Sequence, residues 1–276
     1  MITSQLLNSP LRSYQLENFL IGNKPLLEHQ KLTATDGIHF HPGAWLAVED
    51  LSNDFHTLVD ALGEPIAWRG QAPDLSQATA AEKSFIIRHP WDLLRANEYY
   101  LSNLTESLIE GDVHPLAIIE GIVEIGVGTR ILPGVFIEGN VVIGRDCKIG
   151  PNCYLRGHTS IGDGCHIGQA VEIKNSLILQ RTCIGHLSYI GDSVIGQKVN
   201  FGAGTITSNL RHDGANQRAM VAGELVDTGR RKLGAIVGDG VHTGIHTSIF
   251  PGRQLWPHSS TLPGEIVRKD LRSPNA

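Results

Sequence analysis

The sequence predicts an all-β solenoid, a parallel β-helix, preceded by a small α/β or irregular domain and a linker helix. Two observations lead to this fold class. Large aliphatic residues recur at a spacing of six, and the chain of 276 residues contains 31 glycines but only 6% aromatic residues. Glycine suits tight corners because it adopts positive φ without a Cβ clash, and a thin, repetitive fold has little room for aromatic side chains.

The aliphatic spacing is the strongest of these signals. Every sixth residue from position 119 to position 179 is isoleucine or leucine. These eleven positions are Ile119, Ile125, Ile131, Ile137, Ile143, Ile149, Leu155, Ile161, Ile167, Ile173 and Leu179. The spacing then tightens through Ile184, Ile190, Ile195 and Phe201. A period of six is typical of hexapeptide solenoids, in which three strand-and-corner units close one coil. We therefore expect each aliphatic side chain to point inward and stack on its equivalent one coil away.

Three of the four cysteines follow the same repeat. Cys147, Cys153 and Cys165 stand two residues before an aliphatic position, where the chain otherwise has small or β-branched residues. Pairs with the spacing of a zinc site are absent from the sequence. The pattern therefore predicts small apolar side chains that fill the inside of the coil, and no metal ligands.

The chain divides into three parts by pattern. Residues 1–88 carry no repeat, and we assign them to a small N-terminal domain of unknown role. Residues 89–112 are predicted to be a linker helix because apolar residues follow helical spacing from Trp91 to Leu108. Residues 113–272 are the β-helix, with a loop insertion at about 210–234 before the repeat resumes at Val237. Such an insertion is either a functional loop or a tolerated surface excursion.

Charge and hydropathy limit the classes of partner. The net charge is −5 and the isoelectric point is about 6.2, which gives no general attraction to nucleic acid or anionic membranes. The first twenty residues lack the pattern of an export signal. No apolar stretch reaches the ~18 residues that a membrane span needs. We therefore expect no nucleic-acid or membrane partner and a cytoplasmic location.

Two cations interrupt the repeat at equivalent positions. Arg156 and Lys174 each follow an inward aliphatic residue and stand 18 residues apart, so they are expected to stack in successive coils. Two positive charges about 5 Å apart repel each other unless an anion lies between them. A phosphate matches this pair, because arginine and lysine are its usual ligands. The alternative is a pair of solvated surface charges partly neutralised by Glu172.

Longer motifs in the same region resemble a known family. They are VEIKNS (171–176), GHLSYIGD (185–192), VNFGAGTITSN (199–209) and DGAN (213–216). These stretches resemble the glucosamine-1-phosphate N-acetyltransferase domain of GlmU-type proteins. Two others, HPWDLLRANE (89–98) and TGRRKLGAIVGDGVHTGI (228–245), resemble the archaeal-type bifunctional sugar-phosphate nucleotidyltransferase/acetyltransferases. The resemblance covers residues 89 to 270.

The resemblance implies a fold detail, a reaction and an assembly. It implies left-handed winding and a homotrimer with sites between subunits. It also implies transfer of an acetyl group from acetyl-CoA, with no metal, to the amine of a hexosamine 1-phosphate. Glucosamine 1-phosphate is the first candidate, and UDP-N-acetylglucosamine biosynthesis is the implied context.

The family's functional residues can be assigned to matching positions. The resemblance implies that His186 is the general base, which suits an imidazole whose pKa is ordinarily near neutrality. It implies that Glu172 orients His186 and that Asn209 lies near the reacting centre. The implied sugar-phosphate ligands are Arg156, Lys174, Tyr189 and Asn200, and the implied acetyl-CoA contact is the backbone of Ala203. We add the basic triplet Arg230, Arg231 and Lys232 as a candidate for the 3′-phosphate of CoA.

The sequence also departs from the family. Gln217 replaces a lysine that contacts the sugar phosphate, and Arg218 beside it is a candidate to compensate. Ile245 and Pro263 replace a serine and an alanine near the CoA pocket. Residues 1–85 contain no glycine-rich nucleotide loop of the G-x-G-T-R type, so we expect no nucleotidyl transfer.

Two alternatives compete with the acetyltransferase interpretation. One is a catalytically decayed homologue that binds a sugar phosphate or acts as a scaffold. Gln217, Ile245 and the short N-terminal domain favour this alternative, and the retained site residues oppose it. The other is a γ-type carbonic anhydrase, which would need a histidine pair five residues apart. Two pairs in the repeat region, His158 with His166 and His242 with His246, are eight and four residues apart, and neither fits. The sequence therefore opposes a zinc site.

Overall fold

The computed structural model describes residue 6 and residues 8–35 and 37–272. Residues 1–5 and 7, which are part of the segment considered for an export signal, lie outside these ranges. The described chain forms two compact units. One consists chiefly of Tyr14–Leu20 and Lys24–His89, and the other chiefly of Ile21–Asn23 and the chain from Pro90 onward. Within the described ranges, no helix is both long enough and apolar enough to span a membrane.

The N-terminal unit combines small sheets with short helices. Its four-stranded sheet has the order Ile38–Phe40, Pro65–Arg69, Thr57–Val59 and Ala78–Ala80. The strands Ala44–Trp45 and Phe85–Ile86 form one pair, and Leu20–Ile21 and Lys24–Pro25 form another. The helices are Leu26–Thr33 and Val48–Leu51, with 3-10 turns at Leu16–Asn18 and Leu75–Gln77. Ile66 and Leu58 belong to the apolar core of this unit.

The second unit is a parallel solenoid with three sheets, which the chain visits in turn. Sheet 1 contains Leu108–Ile109, Val123–Ile125, Val141–Ile143, Thr159–Ile161, Leu177–Ile178, Val194–Ile195, Ala235–Val237 and Arg253–Leu255. Sheet 2 contains Asp112–Val113, Arg130–Ile131, Lys148–Ile149, His166–Gln169, Cys183–His186 and Asn200–Phe201. Sheet 3 contains Ile118–Glu120, Phe136–Glu138, Tyr154–Arg156, Glu172–Lys174, Tyr189–Gly191, Ile206–Thr207, Ser248–Ile249 and Ile266–Val267. The predicted fold class, an all-β solenoid after a small domain and a helix, is confirmed.

The inside of the solenoid is the predicted aliphatic stack. From Ile125 to Ile173 every predicted position is buried, and Val237 resumes the stack after the insertion. Each such side chain contributes about 1.5–3 kcal/mol by its burial. Cys147, Cys153 and Cys165 are buried in the same core. Burial raises the pKa of Cys153 and Cys165 to about 12, so both remain neutral thiols.

The prediction of the inward residue is wrong by one position in one coil. The pattern predicts Leu179 as the inward residue, but Ile178 pairs with Ile161 and belongs to the core. The coil from Ile161 to Ile178 has one residue fewer than the 18-residue coil from Ile143 to Ile161. The aliphatic residues at 178 and 179 are both large, so spacing alone did not reveal the shorter corner.

The linker helix is shorter than predicted. It spans Pro90–Ser102, whereas the helical pattern extends the prediction to residue 112. The Asn103 side chain donates to Tyr99 O (2.8 Å) and closes the last turn. Leu108–Ile109 then pairs as a parallel strand with Val123–Ile125, because the first coil offers free backbone groups at its edge. The helix lies on sheet 1, where Asn97 Oδ1 accepts from Ser160 Oγ (2.5 Å).

The insertion forms an antiparallel hairpin of Arg218–Val221 and Glu224–Asp227. Its base is held by backbone bonds to the solenoid. Leu233 N donates to Asn209 O (3.0 Å), and Gly234 N donates to Asp192 O (2.8 Å). The chain therefore returns to the ladder in register after the excursion.

Two glycines in neighbouring coils give a matched test of the spacing between coils. A Cβ added to Gly168 would lie 1.9 Å from Gly185 O, whereas one added to Gly185 meets no atom of the described chain within 4 Å. We expect Gly168→Ala to lower the free energy of unfolding by about 2 kcal/mol or more, since the coils must move apart. We expect Gly185→Ala to change it by about 0.5 kcal/mol or less. Urea unfolding measures both, and equal effects would contradict the spacing.

Candidate active site

One corner of the solenoid, between sheets 2 and 3, gathers His186 and three positions that the resemblance associates with acetyl-CoA. His186, Ala203, Ile245 and Pro263 occupy this corner in successive coils. The backbone bonds that connect them run from Gly204 N to His186 O (3.1 Å), from His246 N to Ala203 O (2.7 Å) and from Gly264 N to Ile245 O (2.8 Å). Residues up to 77 positions apart in sequence therefore form one column, which we call the histidine corner.

His186 is the exposed end of its strand. Cys183–His186 stops at this residue, and Leu187 then turns the chain at φ 52°. Leu187 is 63% exposed, so apolar surface as well as the imidazole faces solvent here. Ser188 Oγ donates to His186 O (2.8 Å), which supports the backbone of the corner. The imidazole is thus accessible to a ligand at the histidine corner.

The expected contact between Glu172 and His186 is not formed. Glu172 begins a strand of sheet 3, and His186 ends a strand of sheet 2 in the next coil. In the part of the chain that the structure describes, no hydrogen bond joins the two side chains. Glu172 Oε1 instead accepts from Arg156 Nε (2.8 Å) and lies 2.7 Å from a second nitrogen of the same guanidinium. The carboxylate of Glu172 is thus held by the positive charge of Arg156.

Lys174 has its own carboxylate. Its ammonium donates to both oxygens of Asp192 (2.9 and 2.8 Å), and Arg156 and Lys174 are neighbours in the sheet 3 register. The predicted stacking of the two cations is therefore confirmed. Their repulsion is relieved inside the chain by Glu172 and Asp192, an arrangement that the sequence interpretation included only for Glu172.

Asp192 is the centre of a buried polar cluster. Its side chain is only 3% exposed and also accepts from Asn209 Nδ2 (2.5 Å) and Asn175 Nδ2 (3.1 Å). Asn209 Nδ2 further donates to Tyr189 Oη (3.0 Å). The pKa of Tyr189 is raised by burial and by the negative charge of Asp192, so its phenol stays protonated at neutral pH. The structure thus brings together Lys174, Tyr189 and Asn209.

Asn200 lies apart from this cluster. It belongs to sheet 2, where it pairs with Cys183 and forms a bridge with His242. Its side chain is exposed on that sheet, in the coil after His186. Asn200 and the cluster around Asp192 therefore lie on different faces of one chain.

The three residues of the basic triplet differ in exposure and in pairing. Arg230 forms an ion pair with Glu98 of the linker helix, and Arg230 NH1 lies 3.1 Å from Glu98 Oε2. Only 18% of its side chain is exposed. Glu98 therefore neutralises Arg230 in this structure, and the role of the triplet at the 3′-phosphate of CoA stays a prediction. Arg231 and Lys232 remain exposed.

Gln217 is a buried structural residue. It is 2% exposed, and its side chain donates to Asn209 O (3.2 Å). Its backbone N donates to Arg230 O (2.8 Å) and its O accepts from Thr228 N (3.1 Å). Where the family has a lysine on the sugar phosphate, this chain has an amide that holds the base of the insertion. Arg218, by contrast, has an exposed side chain.

Sequence reasoning missed Asp192, Asn175 and Glu98. Asp192 ends the GHLSYIGD motif and turns a corner at φ 49°, and Asn175 turns the equivalent corner one coil earlier at φ 48°. The available signal was an Asn or Asp two residues after an inward isoleucine, because these two residue types are the non-glycine residues that most often adopt positive φ. No signal marked Glu98 as the partner of Arg230, 132 residues away. Across residues 8–35 and 37–272, no three His, Cys, Asp or Glu side chains are grouped as a metal ion would require.

Comparison with known proteins confirms the resemblance. The family model described as the GMPPB C-terminal domain matches residues 137–258. The bifunctional sugar-1-phosphate nucleotidylyltransferase/acetyltransferase of Sulfurisphaera tokodaii is 43% identical over 185 residues, which cover 67% of this chain and 46% of that protein. The bifunctional protein GlmU of Methanococcus maripaludis is 51% identical over 185 residues, 67% of this chain and 44% of that protein.

The chain spans less than half the length of these relatives. Among solved structures, an N-acyltransferase from Bacillus cereus, AntD, in complex with dTDP and coenzyme A, aligns over 58% of this chain and 72% of its own. Its identity is 16% and its TM-score is 0.24. The sequence relatives therefore support the resemblance, and the architecture follows from this chain's own three-sheet ladder.

The ion pair of Lys174 and Asp192 can be tested by a double-mutant cycle. We expect Asp192→Asn to lower the free energy of unfolding by about 3 kcal/mol, because Lys174, at 16% exposed, loses its counter-charge. We expect Lys174→Met and the double variant to give a coupling free energy of about 1–3 kcal/mol. Urea unfolding of the four chains measures this quantity. A coupling indistinguishable from zero would show that the pair is not formed in solution.

Proposed function

We propose that this chain transfers an acetyl group from acetyl-CoA to the amine of a hexosamine 1-phosphate, with glucosamine 1-phosphate as the first substrate to test. The observation that carries the proposal is the histidine corner. It stacks His186 on the positions that the resemblance associates with acetyl-CoA. Arg156, Lys174 and Tyr189 lie on sheet 3, the next sheet after that corner.

The chemistry assigned to His186 is general-base catalysis. The imidazole accepts a proton from the sugar amine as the amine nitrogen attacks the thioester carbonyl carbon. The tetrahedral intermediate then collapses, the carbon–sulfur bond breaks, and the CoA thiolate leaves and takes up a proton from the imidazolium. No covalent bond to the enzyme is formed. Gly202 N and Gly204 N donate to Thr243 O and His186 O, so the backbone N–H of Ala203 between them is proposed to stabilise the oxyanion.

Recognition of the phosphate is assigned to Arg156 and Lys174. Both are already paired with carboxylates, but neither is fully occupied. Arginine has five N–H donors and Glu172 takes up at most two, while lysine has three and Asp192 takes up two. The carboxylates hold the two cations side by side and leave donors for phosphate oxygens. This supports a phosphorylated sugar over a neutral one.

The proposal also includes the sugar contacts, the oligomeric state, the role of Glu172 and the ligands of the CoA 3′-phosphate. Asn209 and Tyr189 are assigned to the reacting sugar, and a homotrimer is proposed in which neighbouring chains complete each site. Glu172 is assigned to Arg156 in the free chain and to His186 only in a complex that draws Arg156 to the phosphate. For the 3′-phosphate of CoA, Arg231 and Lys232 remain available, while Arg230 would first have to leave Glu98.

The first test is release of the free CoA thiol in the presence of a panel of amino-sugar 1-phosphates. We expect turnover with one of them and a decrease of kcat by about 10²–10⁴-fold in His186→Ala. His258→Asn, at an exposed corner outside the proposed site, is the control and should leave kcat unchanged. A folded chain that binds the sugar phosphate but releases no thiol would overturn the acetyltransferase and favour sugar-phosphate binding without catalysis.

The second test separates phosphate recognition from chemistry. We expect Arg156→Gln to raise the KM for the sugar 1-phosphate by about tenfold or more, because a charge-assisted hydrogen bond is lost. The KM for the unphosphorylated amino sugar should stay within about twofold. Arg145→Gln, an exposed cation elsewhere on the solenoid, is the matched control. An equal rise for both sugars would remove the phosphate from the role assigned to Arg156.

A further inference from the structure

A pocket of about 390 Å³ lies beside the insertion hairpin. Four arginines contribute to its wall, namely Arg211, Arg218, Arg253 and Arg268. The exposed side chains of Leu225 and Phe250 add apolar surface. Of the residues with a described structure, none with a carboxylate side chain belongs to this wall. The size is that of a site for a small molecule, and the wall combines positive charge with apolar contact.

The arginine pocket is separate from the cations on sheet 3. Arg268 and Phe250 stand in the same outer column as Lys174, and Gly191 and Ser208 lie between them. Four steps between neighbouring strands separate Lys174 from Arg268, a distance of about 19 Å at ~4.8 Å per step. One phosphate cannot contact both sets within a single chain.

The charges of the pocket are only partly balanced. Arg211 is paired with Asp213 (2.9 Å), and Arg253 lies 3.6 Å from Asp270. Among the residues that the structure describes, no carboxylate forms an ion pair with Arg218 or Arg268. Asp227 faces Arg218 across the hairpin, but its carboxylate accepts from Gly229 N (2.8 Å). Two guanidinium groups are therefore left for an anion.

Two contacts connect residues of the pocket wall. Arg253 donates to Arg218 O (3.1 Å) and joins the hairpin to sheet 1. The Arg268 guanidinium lies 6.0 Å from the centre of the Phe250 ring. Phe250 is 45% and Leu225 is 55% exposed, so a ligand that reaches the arginines also covers apolar surface.

We propose that the arginine pocket binds a phosphorylated small molecule of the size of a nucleoside monophosphate. Arg218 and Arg268 hold the phosphoryl group, because a guanidinium fork matches two phosphate oxygens. The rest of the ligand packs against Leu225 and Phe250. This ligand differs from the acetyl acceptor, and its binding does not depend on the proposed acetyl transfer.

Isothermal titration calorimetry of the full chain with AMP, UMP, inorganic phosphate and adenosine tests this site. We expect one nucleotide per chain, with inorganic phosphate at least tenfold weaker and no binding of adenosine. Arg218→Gln and Arg268→Gln should each weaken nucleotide binding at least tenfold. Lys269→Gln removes the same charge one residue away, outside the pocket wall, and should change the affinity less than twofold. Phe250→Leu should weaken the nucleotides but not inorganic phosphate.

Lys174→Gln distinguishes this pocket from the sites of the proposed transfer. It should leave nucleotide affinity unchanged. Absence of nucleotide binding overturns the proposal, as does binding that survives both arginine substitutions. A loss in Lys174→Gln as large as in Arg268→Gln would also overturn it, because the ligand would then belong to the sugar-phosphate site. Thermal unfolding of each variant verifies that the hairpin and solenoid remain folded.

Discussion

The register of one coil on the next is the constraint on which the rest of this structure depends. Inward side chains such as Leu155, Ile173 and Ile190 stack directly on one another, so a shift by one residue would turn every outward side chain inward. The ladder therefore determines the neighbours of each exposed residue. Positions 17 or 18 apart become adjacent without a long connection, and polar residues far apart in sequence line one corner.

Charge is arranged on this frame in pairs across coils. Arg156 bonds Glu172, and Lys174 bonds Asp192, each with a partner in the following coil. Such pairs hold long, flexible side chains in place before any ligand arrives, which reduces the entropy that binding must overcome. The cost is that a ligand competes with a carboxylate already present. The two cations thus combine fixed position with reduced net charge.

The sequence predicted the features that follow from the six-residue repeat, but it did not predict those that depend on contacts between distant elements or on the choice among side-chain partners. The aliphatic stack, the three buried cysteines and the return of the repeat at Val237 follow from a spacing that only one fold satisfies. The end of the helix at Ser102 depended on an edge strand that needs the first coil as its partner. Likewise, Glu172 had two candidate partners, His186 and Arg156, and only the positions of the charges select Arg156. The pairing of Arg230 with Glu98 joins two elements whose contact no local pattern encodes.

Because the base of the insertion is closed by backbone hydrogen bonds, the length and sequence of its tip can vary during evolution. Backbone bonds of Asn209, Leu233 and Gly234 connect the two ends of the insertion to the ladder. The hairpin tip at Ala222 and Gly223 is exposed, and both residues have positive φ. Lengthening the chain at this tip leaves the bonds from Arg253 to Arg218 O and from Gln254 to Met220 O in place, and the loop-closure entropy rises only slowly with length. The tip is therefore a natural grafting point, where evolution or an engineer can exchange a whole recognition element while the solenoid beneath is inherited intact.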